Sequence, residues 1–402
     1  MNLTKQIKRE VREEVIGVKS PARLGILGLG EVILEYAYPG FMKLENEQGI
    51  VIKCVANTRS IDETIAKLEA RKIDRPRERA SIEDVLIRIH NEDRNIQHHQ
   101  TDNGHFNEEN AKKFLDEVDI VYLATPNNVR YELVKQIVEA GKGIILEKPI
   151  AHTTGLINDI VGTINRSDVC AICAEHYSYK DPSIEFYKTF REKTQGFGNI
   201  LSIEGFLEEN DFLDAERYKW LLDPSESGGG IWLDTGVHIM HLLYMTGARV
   251  ANVKEATSYK YEFSGNKKSR NEVIKSETAA DVYFGLKSSN GNFDNNANGH
   301  IRVSKCKQRP LKFFRVDFEK GEMFLDFLRN SIAYTDRTGP KTKYEENIVT
   351  KGDPYYNMMI SFLDYFNGGV EPPTTMKFMK PSTDLVFEIY KQMKQGDPRQ
   401  FY

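Results

Sequence analysis

A chain of 402 residues exceeds the roughly 100 to 200 of an ordinary domain, so two domains are expected. With 40% hydrophobic and 28% charged residues, a formal charge of -4 and no basic block, it reads as a globular protein with nothing to offer nucleic acid. No run of about 18 apolar residues exists to span a bilayer, and the charged start MNLTKQIKREVREEV lacks the apolar core of a signal peptide; a cytoplasmic protein without a membrane partner is expected.

In chain order, the apolar rhythm of Ile7, Val11, Val15 and Ile16 predicts an N-terminal helix or arm ending before Pro21. An apolar strand at 23–27 then runs into Gly28-Leu29-Gly30, followed by helical periodicity at 31–38, a second apolar run at 50–56 and a helix at 61–71. Strand, glycine turn, helix and strand in that order make a βαβ unit, and parallel strands need such crossovers. Residues 72–112 are polar and read as an insertion with one helix near 81–89. Apolar runs at 120–124 and 143–146 flank a helix at 129–140, as expected of strands buried on both faces.

Four cysteines are too few for a disulfide framework. Cys170 and Cys173 form a C-x-x-C inside the apolar run 168–174, but side chains three apart on a strand point to opposite faces, so no metal is expected. From Asn199 onward, alternating segments at 200–206, 277–286, 300–304 and 311–318 predict a largely antiparallel sheet with one covered face. Residues 288–298, rich in Asn, Ser and Gly, read as a hairpin loop. Amphipathic helices are expected at 356–366 and 384–394.

Gly28-Leu29-Gly30-Glu31-Val32-Ile33 is a G-x-G-x-x-G pattern with Ile at its last place. Its first glycine permits a tight turn, and its second lets backbone approach a pyrophosphate at the positive end of a helix. Ile33 departs from the pattern where helix packing is set, and is expected to move the helix or rearrange its contacts. The second strand ends in Asn57-Thr58-Arg59-Ser60 with no acid before Asp62. A carboxylate there would select NAD; Thr58 and Arg59 instead suit a 2′-phosphate, which favours NADP, while an Arg that merely opens a solvated helix leaves NAD open.

The strand at 143–146 ends in Glu147-Lys148-Pro149, and ligands of open α/β sheets lie beyond the carboxyl ends of strands. Further on, Ser227-Gly-Gly-Gly-Ile-Trp-Leu-Asp234-Thr-Gly-Val-His238 puts three glycines before an apolar helix whose Asp234 and His238 are four apart, on one helical face. Oxidising an alcohol needs a base for the hydroxyl proton, and imidazole titrates near neutrality; a nearby Lys148 would favour the developing alkoxide. The same spacing also occurs in plain surface or capping pairs.

With the glycine turn, Ala124-Thr-Pro-Asn-Asn128, Glu139-Ala-Gly-Lys142 leading to Glu147-Lys148-Pro149, and the run from Gly228 to His238, the sequence resembles the glucose-fructose oxidoreductase and inositol dehydrogenase (Gfo/Idh/MocA) family from Arg23 onward. The resemblance implies an N-terminal Rossmann domain, a doubly wound parallel sheet, followed by an α/β domain with a large, mainly antiparallel open sheet, assembled as a homodimer or homotetramer. It implies an NAD(P)-dependent dehydrogenase or reductase acting on a hydroxyl-bearing carbon of a sugar, sugar phosphate, nucleotide sugar or cyclitol. Lys148, Asp234 and His238 match the family's catalytic lysine, aspartate and histidine, with His238 the general acid/base. Thr125, Pro126, Asn127 and Glu147 match cofactor contacts beside Gly28, Gly30, Glu31 and Val32. His176 matches a place near nicotinamide, and Tyr177 and Trp220 match places that line the substrate pocket. The sequence departs from the family at Arg130 and His241, where His and Asp are common: Arg130 is either a solvated helix opener or a selector for an anionic substrate, and His241 is expected to be structural. The expected division is an arm at 1–22, a dinucleotide domain at 23–150, a substrate and oligomerisation domain at 151–380, and a helix at 381–402 that returns toward the dinucleotide domain. Two alternatives stay open: redox-neutral NAD-dependent glycoside hydrolysis or elimination, and a non-catalytic sensor of NAD(P) or sugar.

Overall fold

The computed structural model describes residues 21–30, 32–57, 97–100, 108–210, 221, 223–260, 276–288 and 293–397. The N-terminal arm, the helices expected at 61–71 and 81–89, and the candidate residues Glu31, Thr58, Arg59 and Trp220 lie outside them. Two compact units divide the chain: one drawn from residues up to Ile150, from Gly155–His176 and from Asp353–Met376, the other from Ala151–Thr154, Tyr177–Gly352 and Lys377 onward.

The first unit is built on β1 (Ala22–Leu27), a π-helical turn (Val32–Ala37) leading into α1 (Tyr38–Asn46), β2 (Ile50–Asn57), β3 (Gln97–Gln100), α2 (Glu108–Asp116), β4 (Ile120–Leu123), α3 (Arg130–Glu139), β5 (Gly143–Leu146), α4 (Thr154–Asn165) and β6 (Ala171–Cys173). The strands form one sheet in the order β3-β2-β1-β4-β5-β6, every neighbouring pair parallel. β4 and β5 are buried along their whole length, as runs of Ile, Val and Leu covered on both faces must be. Strand order reverses between β1 and β4, which opens the crevice of a doubly wound sheet at their carboxyl ends. β3 falls within the polar stretch 72–112, where Gln-His-His-Gln carries no apolar run to announce a strand, and it pairs with β2 at the sheet edge.

The second unit contains α5 (Asp181–Lys193), β7 (Ile200–Asn210), a π-helical turn (Trp232–Gly236) leading into α6 (Val237–Met245), β8 (Ala248–Tyr259), β9 (Ala279–Ser288), β10 (Phe293–Ser304), β11 (Cys306–Phe318), β12 (Gly321–Asp326), β13 (Ser331–Asp336) and β14 (Lys343–Ile348). After α7 (Pro354–Phe366) and α8 (Met376–Tyr390), the short β15 (Lys394–Gln395) completes a nine-stranded sheet in the order β14-β13-β12-β11-β7-β10-β9-β8-β15. It is mainly antiparallel, with parallel pairs at β7–β10 and β8–β15. Its covered face buries Ile203, Leu207, Val282, Phe284, Ile301 and Val316. Gly205 of β7 allows α6 to come close: a Cβ there would meet Ile239 at 2.5 Å.

Two local expectations are corrected. Phe293–Ser304 forms β10, so the expected loop is entered by a strand, but its ladder is broken between Phe293, paired with Ile200, and Asn298, paired with Ser202 and Gly285. Within the break the Asn296 amide donates to Asp294 Oδ1 at 2.7 Å, as the turn preference of these residues predicts. The last helix begins at Met376, eight residues before its expected start, and contains Pro381; Ser382 and Thr383 hydroxyls donate to the Met379 carbonyl around that proline. Finally, α7 packs on α1 in the first unit, where Asp353 caps it by accepting the Tyr355 and Tyr356 amides at 2.9 and 3.2 Å.

Candidate active site

At the end of β1 the chain turns through Gly28 with φ of +90°, and a Cβ there would lie 2.7 Å from the Ala124 carbonyl oxygen at the end of β4. Only glycine meets both demands cheaply. Gly30 is exposed, with open space where a side chain would stand. Ile33, in the third-glycine place, is fully buried. The segment absorbs it as a π-helical turn that becomes α-helical only near Pro39, whose missing N–H suits the first turn of α1.

After β5, the buried Glu147 carboxylate accepts the Tyr122 hydroxyl at 2.6 Å and the Lys148 amide at 3.1 Å. Burial raises its pKa against the pull of Tyr122, Lys148 and Arg130. Arg130 corrects the expectation of a solvated helix opener. It is buried, its Nε donates to the Thr125 carbonyl at 2.9 Å, and its Nη1 donates to the carbonyls of Glu147, at 2.7 Å, and of Pro149. Burial lowers its pKa to about 10, so it stays charged at neutrality. Satisfied in this way, Arg130 ties the loop after β4 to the loop that carries Lys148. Asn127 is buried, Thr125 half-buried and Pro126 exposed.

A dinucleotide fits these residues. The tight Gly28 turn and the open space at Gly30 flank the strand-order reversal, and among the described residues the buried Thr125 Oγ1 in the same loop finds no hydrogen-bond partner. Such an orphan is costly unless a bound group or water meets it. Beyond β6, Glu175 is fully buried and the His176 ring stacks on Tyr355 at 5.2 Å. Cys170 and Cys173 are both free thiols, and burial raises both.

In the second unit, His238 is 3% exposed at the start of α6, and its ring lies 4.5 Å from that of Tyr177, which also meets Phe327 edge-on at 5.1 Å. The Lys180 ammonium sits 4.1 Å from the Tyr177 ring. Asp234 is half-buried within the π-helical turn, so the interval from Asp234 to His238 crosses from π- to α-helical geometry rather than following one α-helical face. His241 is fully buried, with Nδ1 3.4 Å from Ser382 Oγ.

The three glycines before this helix are shaped by contacts that local sequence does not announce. Gly228 has φ of +83° and lies against His152, Gly229 against the Tyr390 hydroxyl, and Gly230 against Glu277. The Glu277 carboxylate accepts the Gly230 amide at 3.1 Å, the Trp232 amide at 3.0 Å and the Tyr390 hydroxyl. Arg130, Tyr122, Lys180, Glu277 and Tyr390 were not singled out for these roles by the sequence. Only Arg130, adjacent to Thr-Pro-Asn-Asn, carried a signal. Lys148 and His176 stand in the first unit, and Tyr177, Asp234 and His238 in the second. Among the described residues no cluster of His, Cys, Asp and Glu forms a metal site, and no helix is long and apolar enough to cross a membrane.

Residues 64–175 match the model of an oxidoreductase family with an NAD-binding Rossmann fold, Gfo/Idh/MocA. The chain is 28% identical over 140 residues to levoglucosan dehydrogenase of Pseudarthrobacter phenanthrenivorans, covering 34% of this chain and 35% of that one. It spans less than half the length of the curated relatives it matches. A solved levoglucosan dehydrogenase in complex with NADH and levoglucosan superposes with a TM-score of 0.70 at 15% identity, over 93% of this chain and 98% of that one. A 3-ketoreductase of Actinomadura kijaniata in complex with NADP superposes with a TM-score of 0.66 at 13% identity, over 94% and 99%. The N-terminal match to the Gfo/Idh/MocA model and the superposition of both sheets on these structures make the chain similar in fold to oxidoreductases of that kind.

Proposed function

We propose that this protein is an NAD(P)-dependent oxidoreductase that interconverts a hydroxyl-bearing carbon and a carbonyl on a sugar, sugar phosphate, nucleotide sugar or cyclitol, in the cytoplasm and as a homodimer or homotetramer. The observation that carries the reading is His238: an imidazole almost wholly buried at the head of a helix, its ring against Tyr177. When bound, nicotinamide accepts or returns the hydride. In the oxidative direction, His238 takes the hydroxyl proton as the carbon becomes a carbonyl, and in reduction it gives that proton back. The Lys148 ammonium favours the developing alkoxide, and Asp234 holds the substrate or the imidazole. Gly28, Gly30, Glu31, Val32, Thr125, Pro126, Asn127, Glu147 and His176 hold the dinucleotide, while Tyr177 and Trp220 line the substrate side. Thr58 and Arg59 favour NADP over NAD through the 2′-phosphate.

A panel of sugars, cyclitols and nucleotide sugars, offered with each cofactor and followed by the absorbance of reduced nicotinamide, identifies the substrate. His238→Ala is expected to lower kcat by about 10²- to 10⁴-fold, the usual weight of a general acid/base. Unchanged turnover overturns the mechanism, and a large preference for NAD overturns the role of Arg59.

A further inference from the structure

A helix begins with about four backbone amides that have no partner within it. In the segment carrying Asp234 and His238 those amides lie at Gly230, Ile231, Trp232 and Leu233, and the three glycines at 228–230 bring no side chain to them. All four are met from elsewhere. Gly230 donates to the Glu277 carboxylate and to the Tyr390 hydroxyl, the latter at 3.0 Å; Trp232 donates to Glu277 Oε1 at 3.0 Å. Leu233 donates to the Tyr390 hydroxyl at 3.2 Å, and Ile231 to the Glu277 backbone carbonyl at 3.1 Å. The Tyr390 hydroxyl in turn donates to Glu277, joining the two caps.

The glycines gain a reason from this. A Cβ at Gly229 or Gly230 would collide with the Tyr390 hydroxyl or with Glu277. Helix N-termini attract anions, and here a carboxylate of the protein itself occupies that place, so the triple glycine accommodates an internal cap rather than a phosphate. Glu277 is buried, and burial raises its pKa against the hydrogen bonds that lower it.

We propose that Glu277 and Tyr390 are positioning residues, a remote double cap that fixes the head of the Trp232–Met245 helical segment and thereby the orientation of the His238 imidazole against Tyr177. The proposal rests on the reading of His238 as the acid/base group. Its test compares Tyr390→Phe and Glu277→Gln in the full chain by amide hydrogen exchange and by the His238 Cε1–H resonance, assigned with His238→Gln and sensitive to the Tyr177 ring current. Tyr390→Phe removes one hydroxyl and keeps the ring; Glu277→Gln keeps one acceptor and serves as the partial rescue. The expected result is at least tenfold faster exchange across residues 230–238 in Tyr390→Phe, with β11 to β13 unchanged, a displaced His238 resonance, and a smaller effect in Glu277→Gln. With a sugar that the wild type oxidises, kcat falls about tenfold while the KM for dinucleotide holds. Exchange that rises equally in β11 to β13, or a His238 resonance that stays in place, overturns the proposal. Absence of any sugar oxidation by the wild type instead overturns the proposed function; exchange and resonance still decide the cap, since neither needs substrate.

Discussion

Three backbone carbonyls, of Thr125, Glu147 and Pro149, converge on the single guanidinium of Arg130, and a planar fork of five donors is the one side chain that can meet them together. Arg130→Met would leave these acceptors near a buried Glu147 with no donor from that side chain. Each such loss costs about 1 to 3 kcal/mol, partly recovered by water, so the variant is expected to lose about 3 kcal/mol in urea unfolding. Arg130→Lys, with a point charge in place of the fork, should recover only part. Unchanged stability in Arg130→Met would dismiss the clamp. The residue was visible as a departure from the family pattern, but its environment was not. An Arg opening an amphipathic helix looks solvated until the loops after β4 and β5 are folded over it. His238 and Lys148 could be proposed from sequence because each stands in a run of motif residues, Gly228–His238 and Glu147–Pro149. Glu277 and Tyr390 were not, because their partners are backbone amides 47 and 160 residues away.

Among whole elements, the buried strands were the easiest to read. β4 and β5 are uninterrupted apolar runs, which a sheet covered on both faces demands. β3 was invisible for the converse reason: an edge strand is released from that demand, and Gln-His-His-Gln uses the release. The nine-stranded sheet also carries polar work within its elements. Glu209 at the end of β7 pairs with Lys305 and with Lys312 of β11. Burial pushes its carboxyl up, but the two ammoniums outweigh that and hold it well below the usual carboxylate range. A carboxyl whose folded pKa is depressed adds stability above its unfolded value, about 4.3, and loses it as pH falls through the folded value. Glu209→Gln leaves the nearly buried Lys305 ammonium and the half-buried Lys312 ammonium without their carboxylate, and about 3 kcal/mol of destabilisation at pH 7 is expected. Its deficit relative to wild type should narrow as both are titrated below pH ~4; a constant gap in urea midpoints would sink this account.

For the whole molecule, the two units are interleaved along the chain rather than consecutive. α7, from the far end of the sequence, buries Tyr355, Met358, Met359 and Phe362 in the first unit, and the Tyr356 hydroxyl donates to Glu47 at 2.5 Å. Full burial of such side chains is worth about 1.5 to 3 kcal/mol each, so losing four approaches or exceeds the whole stability of a typical domain. A chain cut after Gly352 is therefore expected to lose NADH binding and cooperative unfolding, although every strand of the parallel sheet remains. Retained NADH affinity in that fragment would refute the dependence. Composition and length announced two domains, but amphipathic periodicity says only that a helix has a partner, not which sheet supplies it.

That interleaving has a bearing on how the protein comes into being. On a ribosome, domains fold as they emerge, the earlier ones first. Here the parallel sheet waits for α7, and the helix bearing His238 waits for Tyr390 of α8. Each unit therefore gains its last packing partners only after the nine-stranded sheet has been made, so β4, β5 and the glycine turn are translated long before the helix that covers their unit.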